Sequence, residues 1–314
     1  MWHRSTTPLY LIHSDVWQSH VLSPNGFKYY VIFIDDFSRF TWLYPMRHKS
    51  EVVRHFQIFK TMFENLLNSK IKIFQSDGGG EFDNYGMRDI FLQNGILFRK
   101  SCPDTPEQNG VAERKHRHLL ELARIMLFEA KMPAIFWVDA VFTATYIINR
   151  LSTPNLNGAT PFEKLFHHSL DYYSMRIFGC ACFPNFNVNS SNKLSTRSTL
   201  CVFLGYAPEY KGYRCLDPLT GKIYINRNVC FHENHFPYSD LISSLEKSTL
   251  PLCPPINTVQ LHEICPPSAS PLPQPSHRPP AIRRSITPPS DHHHQPAYTP
   301  HHLFSHQPAS TTTP

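Results

Sequence analysis

Tyr29-Tyr30-Val31-Ile32-Phe33-Ile34-Asp35-Asp36-Phe37-Ser38-Arg39-Phe40-Thr41-Trp42-Leu43-Tyr44-Pro45 is the stretch on which the fold turns. Its first six residues are aromatic or β-branched, the composition of a central strand. Asp35 to Arg39 turns the chain, and Phe40 to Pro45 returns as a second strand. Working backwards, Leu9 to Val16 alternates well enough for a strand with Asp15 near its end, and Ser23-Pro24-Asn25-Gly26 is a turn. Three strands joined by short turns predict an antiparallel meander. Working forwards, the period becomes helical from Ser50 to Asn68, with Val52, Val53, Phe56, Phe59, Phe63, Leu66 and Leu67 on one apolar face. Ser50, followed by Glu51, is the expected cap.

Ile71 to Ser76 reads as a fourth strand that delivers Asp77 into Gly78-Gly79-Gly80. Met87 to Gln93 is a short helix ended by Asn94-Gly95, and Ile96 to Lys100 is a fifth strand. Two prolines and a polar run keep Pro103 to Asn109 irregular. A helix follows from Val111, burying Ala112, Leu119, Leu122, Ala123 and Met126, and another runs from Pro133 to about Arg150. The order β-β-β-α-β-α-β-α-α is that of an α/β, RNase H-like mixed sheet with flanking helices.

Leu151 to Pro161 is a connector before a short helix at Phe162 to His167. A β-rich unit comes next, with strands expected at Met175–Phe178, Cys201–Tyr206, Gly212–Leu216 and Lys222–Asn226, and a hairpin turn at Asp217–Gly221. Short strands at this spacing suggest a small barrel. The expected domains are therefore 1–155, a helical connector 156–174, the β unit 175–240 and a tail 241–314. The last 65 residues hold 16 of the 28 prolines and 8 of the 19 histidines, a composition that predicts disorder. A net charge of +6 suits nucleic acid without requiring it. Eight cysteines without a CxxC pair read as packed, reduced thiols of an intracellular protein. The longest apolar run, Tyr29 to Ile34, is far too short to span a bilayer, and no signal peptide is visible.

Three acids stand where strands or helices end: Asp15, Asp77, and Glu113 at the start of the helix after the fifth strand. If the first and fourth strands are neighbours, Asp15 and Asp77 meet and the helix start brings Glu113 to them. Packed carboxylates raise one another's pKa unless a cation lies between them. A cluster of three beside Arg114-Lys115-His116-Arg117-His118 points to Mg²⁺ (or Mn²⁺) and a phosphodiester. Two such ions about 3.5–4 Å apart serve in-line phosphoryl transfer. From the residues alone, Glu81, Asp35 and Asp36 are nearly as well placed.

The motifs His13-Ser14-Asp15-Val16-Trp17, Ile34-Asp35-Asp36-Phe37-Ser38-Arg39, Ser76-Asp77-Gly78-Gly79-Gly80-Glu81-Phe82 and Thr105-Pro106-Glu107-Gln108-Asn109-Gly110-Val111-Ala112-Glu113-Arg114-Lys115 together resemble the integrase core of copia-type long-terminal-repeat retrotransposons. Between Asp77 and Glu113 lie 35 residues, the spacing of the retroviral-type integrase motif. The likeness continues through Ile148-Asn149-Arg150-Leu151, Phe178-Gly179-Cys180 and Val202-Phe203-Leu204-Gly205-Tyr206, covering roughly residues 8 to 238. It implies a metal-dependent polynucleotidyl transferase with Asp15, Asp77 and Glu113 as catalytic, metal-holding residues. It implies DNA contacts at Asn109, Arg114, Lys115 and Arg117, a flexible loop at Glu107–Gly110, and an SH3-like fold for the β unit. It further implies DNA partners (element ends and target), a homo-oligomer, no membrane, and action in the nucleus after a cytoplasmic particle stage. Asp35, Asp36 and Glu81 then become supporting residues.

Two departures stand out. Family members usually carry Asn directly after the second Asp, where this chain has Gly78. The family's polyprotein also carries a zinc-binding module upstream and a reverse transcriptase downstream, absent from these 314 residues, so a fragment is expected. Both departures favour an alternative reading as an inactive remnant that binds DNA, and an RNase H-like nuclease is a further alternative.

Overall fold

A computed structural model describes residues 4–101, 109–170, 172–186, 198–207 and 210–240. The tail over 241–314 and the loop residues Glu107 and Gln108 lie outside the described residues.

The meander is present as β1 (Leu11–Gln18), β2 (Tyr29–Asp35) and β3 (Thr41–Met46). With β4 (Ile73–Ser76) and β5 (Leu97–Lys100) they form a mixed sheet of order β3-β2-β1-β4-β5. β1 and β4 are parallel neighbours, with His13 opposite Gln75, so both strands finish at the same edge of the sheet.

Alternation divides the sheet into two faces. On one, Ile12, Val31, Phe33 and Phe74 pack against Phe56 and Phe59 of α1 (Val52–Leu67) and Phe91 of α2 (Tyr85–Asn94). Phe33 stacks on Phe59 with ring centres 4.6 Å apart. On the other, Tyr30, Ile32 and Ile34 meet Ala112, Leu119 and Ala123 of α3 (Gly110–Glu129) and residues of α4 (Trp137–Ile148). Gly95 ends α2 in the left-handed region, the role expected of Asn94-Gly95.

Three local expectations need correction. Ser50 does not cap α1: it lies inside a 3₁₀ turn, Lys49–Glu51, and the Glu51 carboxylate accepts the backbone N–H groups of Arg47 and His48 instead. Leu66 is exposed, because α1 is fully covered only along the Val52-Phe56-Phe59 line. In the β unit no strand forms at 175–178; Gly179 takes a positive φ of 80° there and breaks the run.

Beyond α4, a short helix α5 (Pro161–Phe166) starts with a capping box between Thr160 and Glu163. The β unit is a five-stranded antiparallel sheet of order β10-β6-β7-β8-β9, comprising β6 (Ala181–Pro184), β7 (Cys201–Tyr206), β8 (Tyr213–Leu216), β9 (Ile223–Asn226) and β10 (Val229–His232). β6 and β10 were not anticipated: each is four residues long, too short for a clear alternation. Cys180, Cys182, Cys201 and Cys215 are buried free thiols around Phe203, and Cys230 is exposed and free. Among the described residues no helix is long and apolar enough to cross a membrane.

This second sheet is docked on the helices of the first. Val202, Leu204 and Leu216 join Ala140, Val141 and Ala144 in one core. The Arg214 guanidinium donates to Asp139 Oδ1 from Nε at 3.2 Å and Nη2 at 2.9 Å. Tyr206 stacks on Tyr146 with ring centres 3.7 Å apart, and the Arg150 guanidinium lies 3.5 Å from the centre of the Tyr146 ring.

Candidate active site

Parallel pairing of β1 with β4 brings Asp15 and Asp77 to one edge. Asp15 lies on the α3 face of β1, opposite Ile32 of β2, and is half-buried. Its Oδ1 accepts the N–H of Val16 at 2.8 Å. Burial, reinforced by the charges of Asp77, Glu113 and Glu81 and opposed by that hydrogen bond, raises the Asp15 carboxyl to about 7. Four carboxylates therefore share one neighbourhood, and the fourth is Glu81, which the resemblance had reduced to a supporting role. Asp77 and Glu113 are exposed.

Asp77 is turned onto its own loop, where its Oδ1 accepts the N–H of Gly79 at 3.0 Å. Gly78 has φ of 77°, and the stem of Lys100 lies across it: a Cβ there would stand 2.2 Å from Lys100 Cε. Lys100 Nζ continues to Asp83 at 3.1 Å. Glu81 is paired with Lys49 at 2.8 Å.

On α3, Glu113 opens the helix and His116, one turn on, faces Asp15. His116 is buried and its Nε2 stands 3.5 Å from Asp15 Oδ2. Its Nδ1 is 2.9 Å from the hydroxyl of Tyr30, a fully buried side chain. Burial holds His116 down to about 3 and the Tyr30 phenol well above its ordinary value, so both are neutral at pH 7. The tautomer that suits all three groups has Tyr30 donating to Nδ1 and Nε2–H facing the carboxylate. Reading the basic run as a phosphate grip missed this role; the i, i+3 spacing from Glu113 to His116 was the available signal.

The other residues of that run divide. Arg114 and Arg117 are exposed. Lys115 is half-buried, and burial, reinforced by Arg39, lowers its ammonium to about 8. Asn109 is buried; its carbonyl accepts from Ala112 and Glu113, while its side-chain Oδ1 has no partner among the described residues. The structure thus presents Arg114 and Arg117 to solvent and turns Asn109 and Lys115 inward.

Asp35 and Asp36 serve the β2–β3 turn. Asp35 accepts the N–H groups of Leu9 and Ser38. Asp36 meets His13 at 3.0 Å and Arg39 at 2.9 Å. Burial alone would raise the Asp36 carboxyl, but the His13 hydrogen bond, the Ser5 N–H and Arg39 outweigh it and hold it well below the usual range.

The all-oxygen donor set of Asp15, Asp77 and Glu113 has the chemistry that Mg²⁺ prefers. Among the described residues, however, no three acidic, His or Cys side chains are closed into a liganding arrangement; the Asp77–Gly79 hydrogen bond is one visible reason.

Comparison with known proteins agrees with this architecture. Residues 5–106 match the integrase core domain family, and residues 180–244 match the retroviral polymerase SH3-like domain family. The chain is 46% identical over 241 residues to the retrovirus-related Pol polyprotein from transposon RE1 of Arabidopsis thaliana, covering 77% of this chain and 16% of that protein. It is 45% identical over 235 residues to the Pol polyprotein from transposon RE2 of the same plant, covering 75% and 16%. A chain of the simian T-cell lymphotropic virus intasome is similar at a TM-score of 0.43 and 17% identity, with 73% of this chain and 81% of that one covered. The 314 residues span about a sixth of the length of the curated relatives. The chain therefore carries the integrase core domain and the retroviral polymerase SH3-like domain, and over 241 residues it is similar to retrovirus-related Pol polyproteins of plant transposons.

Proposed function

We propose that this chain is the catalytic part of an integrase-type polynucleotidyl transferase that joins element DNA ends to target DNA. The observation that carries the reading is the proximity of Asp77, Glu113 and Glu81 to the half-buried carboxyl of Asp15. Asp15, Asp77 and Glu113 would hold the divalent cations; when bound, these supply Lewis-acid activation of the attacking oxygen and stabilise the leaving one. His116, set by Tyr30, stands beside the Asp15 carboxylate, its Nε2 3.5 Å away. Arg114 and Arg117 offer fixed positive charge to phosphates beside Glu113. Attack by water near the DNA end frees a 3′-hydroxyl, and that hydroxyl then displaces a bridging oxygen in the target strand. Weak target specificity follows, because backbone contacts carry no sequence information.

The Lys100 stem over Gly78 and the open arrangement of the acids favour a second reading, a DNA-binding remnant without chemistry. A joining assay separates the two. The chain is incubated with labelled duplex bearing the element's terminal sequence and Mg²⁺ or Mn²⁺, beside Glu113→Gln and an EDTA control. Joined product that both controls abolish is the expected result. Cut but unjoined DNA points to a nuclease, and the absence of any product to the remnant.

A further inference from the structure

One side chain spans the whole Asp77 loop. Lys100 lies opposite Ser76 in the parallel β4–β5 register, so it leaves its strand beside the residue that precedes Asp77. Its stem then crosses Gly78: a Cβ built on that glycine would stand 2.2 Å from Lys100 Cε, 2.4 Å from Cγ and 2.6 Å from Cδ. Its ammonium ends on Asp83 at 3.1 Å, and the side chain is half-exposed along the way. Between these two points the loop is closed on itself. Gly78 N–H donates to Ser76 Oγ at 3.3 Å, Phe82 N–H and Asp83 N–H donate to Gly79 O at 2.8 and 2.9 Å, and Asn84 Nδ2 donates to Glu81 O at 2.9 Å.

The ties on this loop are of two kinds. Arg88 holds Asp83 at 2.6 Å, but from the helix that follows directly, so that pair is internal to the loop and α2. Two lysines bind the loop to the body of the fold: Lys49 through Glu81 at 2.8 Å, and Lys100 through Asp83. Of the two, Lys100 also lies across the residue next to Asp77. Asp77 in turn gives one carboxylate oxygen to the Gly79 N–H of the same loop at 3.0 Å, so where the loop rests, Asp77 rests.

We propose that Lys100 is a positioning residue that latches the Asp77 loop in a resting place, and that its withdrawal lets Asp77 complete the cation site with Asp15 and Glu113. This rests on the reading of Asp77 as a cation ligand. Gly78 is the counterpart of the latch, because any side chain there would evict the stem. The stem is flexible and its ion pair is open to water, so the latch is weak and reversible. The contact that stands against chemistry at rest is, on this account, a removable one.

The test reads Mn²⁺ bound to the full chain by electron paramagnetic resonance, with no DNA present. Lys100→Ala should tighten Mn²⁺ binding by about 1.5- to 5-fold, the bias of one exposed ion pair. Gly78→Asn evicts the same stem without changing any charge, and Asn tolerates a left-handed backbone, so it should tighten binding to a similar extent. The double variant should gain no more than either single one, because both remove one contact. Arg88→Ala takes the same charge from the same Asp83 and should leave Mn²⁺ affinity unchanged; a loop merely loosened, or a purely electrostatic gain, would respond to it as to Lys100→Ala. Unchanged or weaker binding by Lys100→Ala, additive gains in the double variant, or an equal gain from Arg88→Ala would each overturn the latch, as would no Mn²⁺ binding by any variant. Failure to join DNA with the Mn²⁺ shifts intact would refute the transferase reading and leave the latch standing. Joining by the wild type without those shifts would refute the latch alone.

Discussion

Gly205 of β7 offers the sharpest test of how the second sheet is seated. Its φ is 112°, a conformation that L side chains rarely adopt. A Cβ built there would stand 2.1 Å from Thr143 Oγ1 and 3.4 Å from Thr143 Cβ. Thr143 is buried on α4, and its hydroxyl is held between Asp139 O at 2.9 Å and Leu204 O at 3.3 Å, so it has nowhere to swing. Gly205→Ala therefore carries a backbone cost of about 1–3 kcal/mol and an overpacking cost of about 1–3 kcal/mol. The sum is a large share of a typical domain stability of about 5–15 kcal/mol. Thr143→Ala alone should cost about 1 kcal/mol for the lost hydrogen bonds. It opens the space for the new methyl, so the double variant should recover the overpacking part but not the backbone part. Urea unfolding of the four proteins gives the coupling energy directly. Strict additivity, or a Gly205→Ala variant within about 0.5 kcal/mol of the wild type, would refute the close packing of β7 on α4.

Two other outcomes follow from the buried polar groups. The depressed Asp36 carboxyl stabilises the fold above its unfolded pKa near 4 and loses that contribution as pH falls. Asp36→Asn should thus cost about 1.5–3 kcal/mol at pH 7 and progressively less as pH falls below about 4 toward the depressed folded-state value, read by urea midpoints in steps from pH 7 downward; a cost that does not change with pH would refute the ion-pair account. Tyr30→Phe removes the hydroxyl that fixes His116, leaving Nδ1 unsatisfied at about 1–3 kcal/mol; ¹⁵N shifts of labelled histidine should change from one tautomer to a mixture, and an unchanged single tautomer would refute the assignment.

The α/β core was legible because its signals were long and consistent. Tyr29–Ile34 has few alternatives to a central strand, and the phenylalanines at 56, 59 and 63 fall at helical spacing. The neighbouring of Asp15 and Asp77 was one of several strand orders the sequence allowed, and the parallel pairing of β1 with β4 decided it. What resisted reading was decided by contacts distant in sequence. β6 and β10 pair with each other across more than 40 residues, and neither has a pattern of its own. The inward turn of His116 depends on Tyr30, on another element of the fold.

α3 has one more consequence. At about 1.5 Å per residue its span from Glu113 to the cap at Ala130 is about 25 Å. At that far end Gly179 approaches Ala130 so closely that an added Cβ would stand 2.2 Å from Ala130 Cβ. The helix is thus a tie rod, bearing the proposed catalytic acid Glu113 on one tip and the footing of the SH3-like domain on the other. The seating of that domain and the position of Glu113 are thus set by one and the same helix.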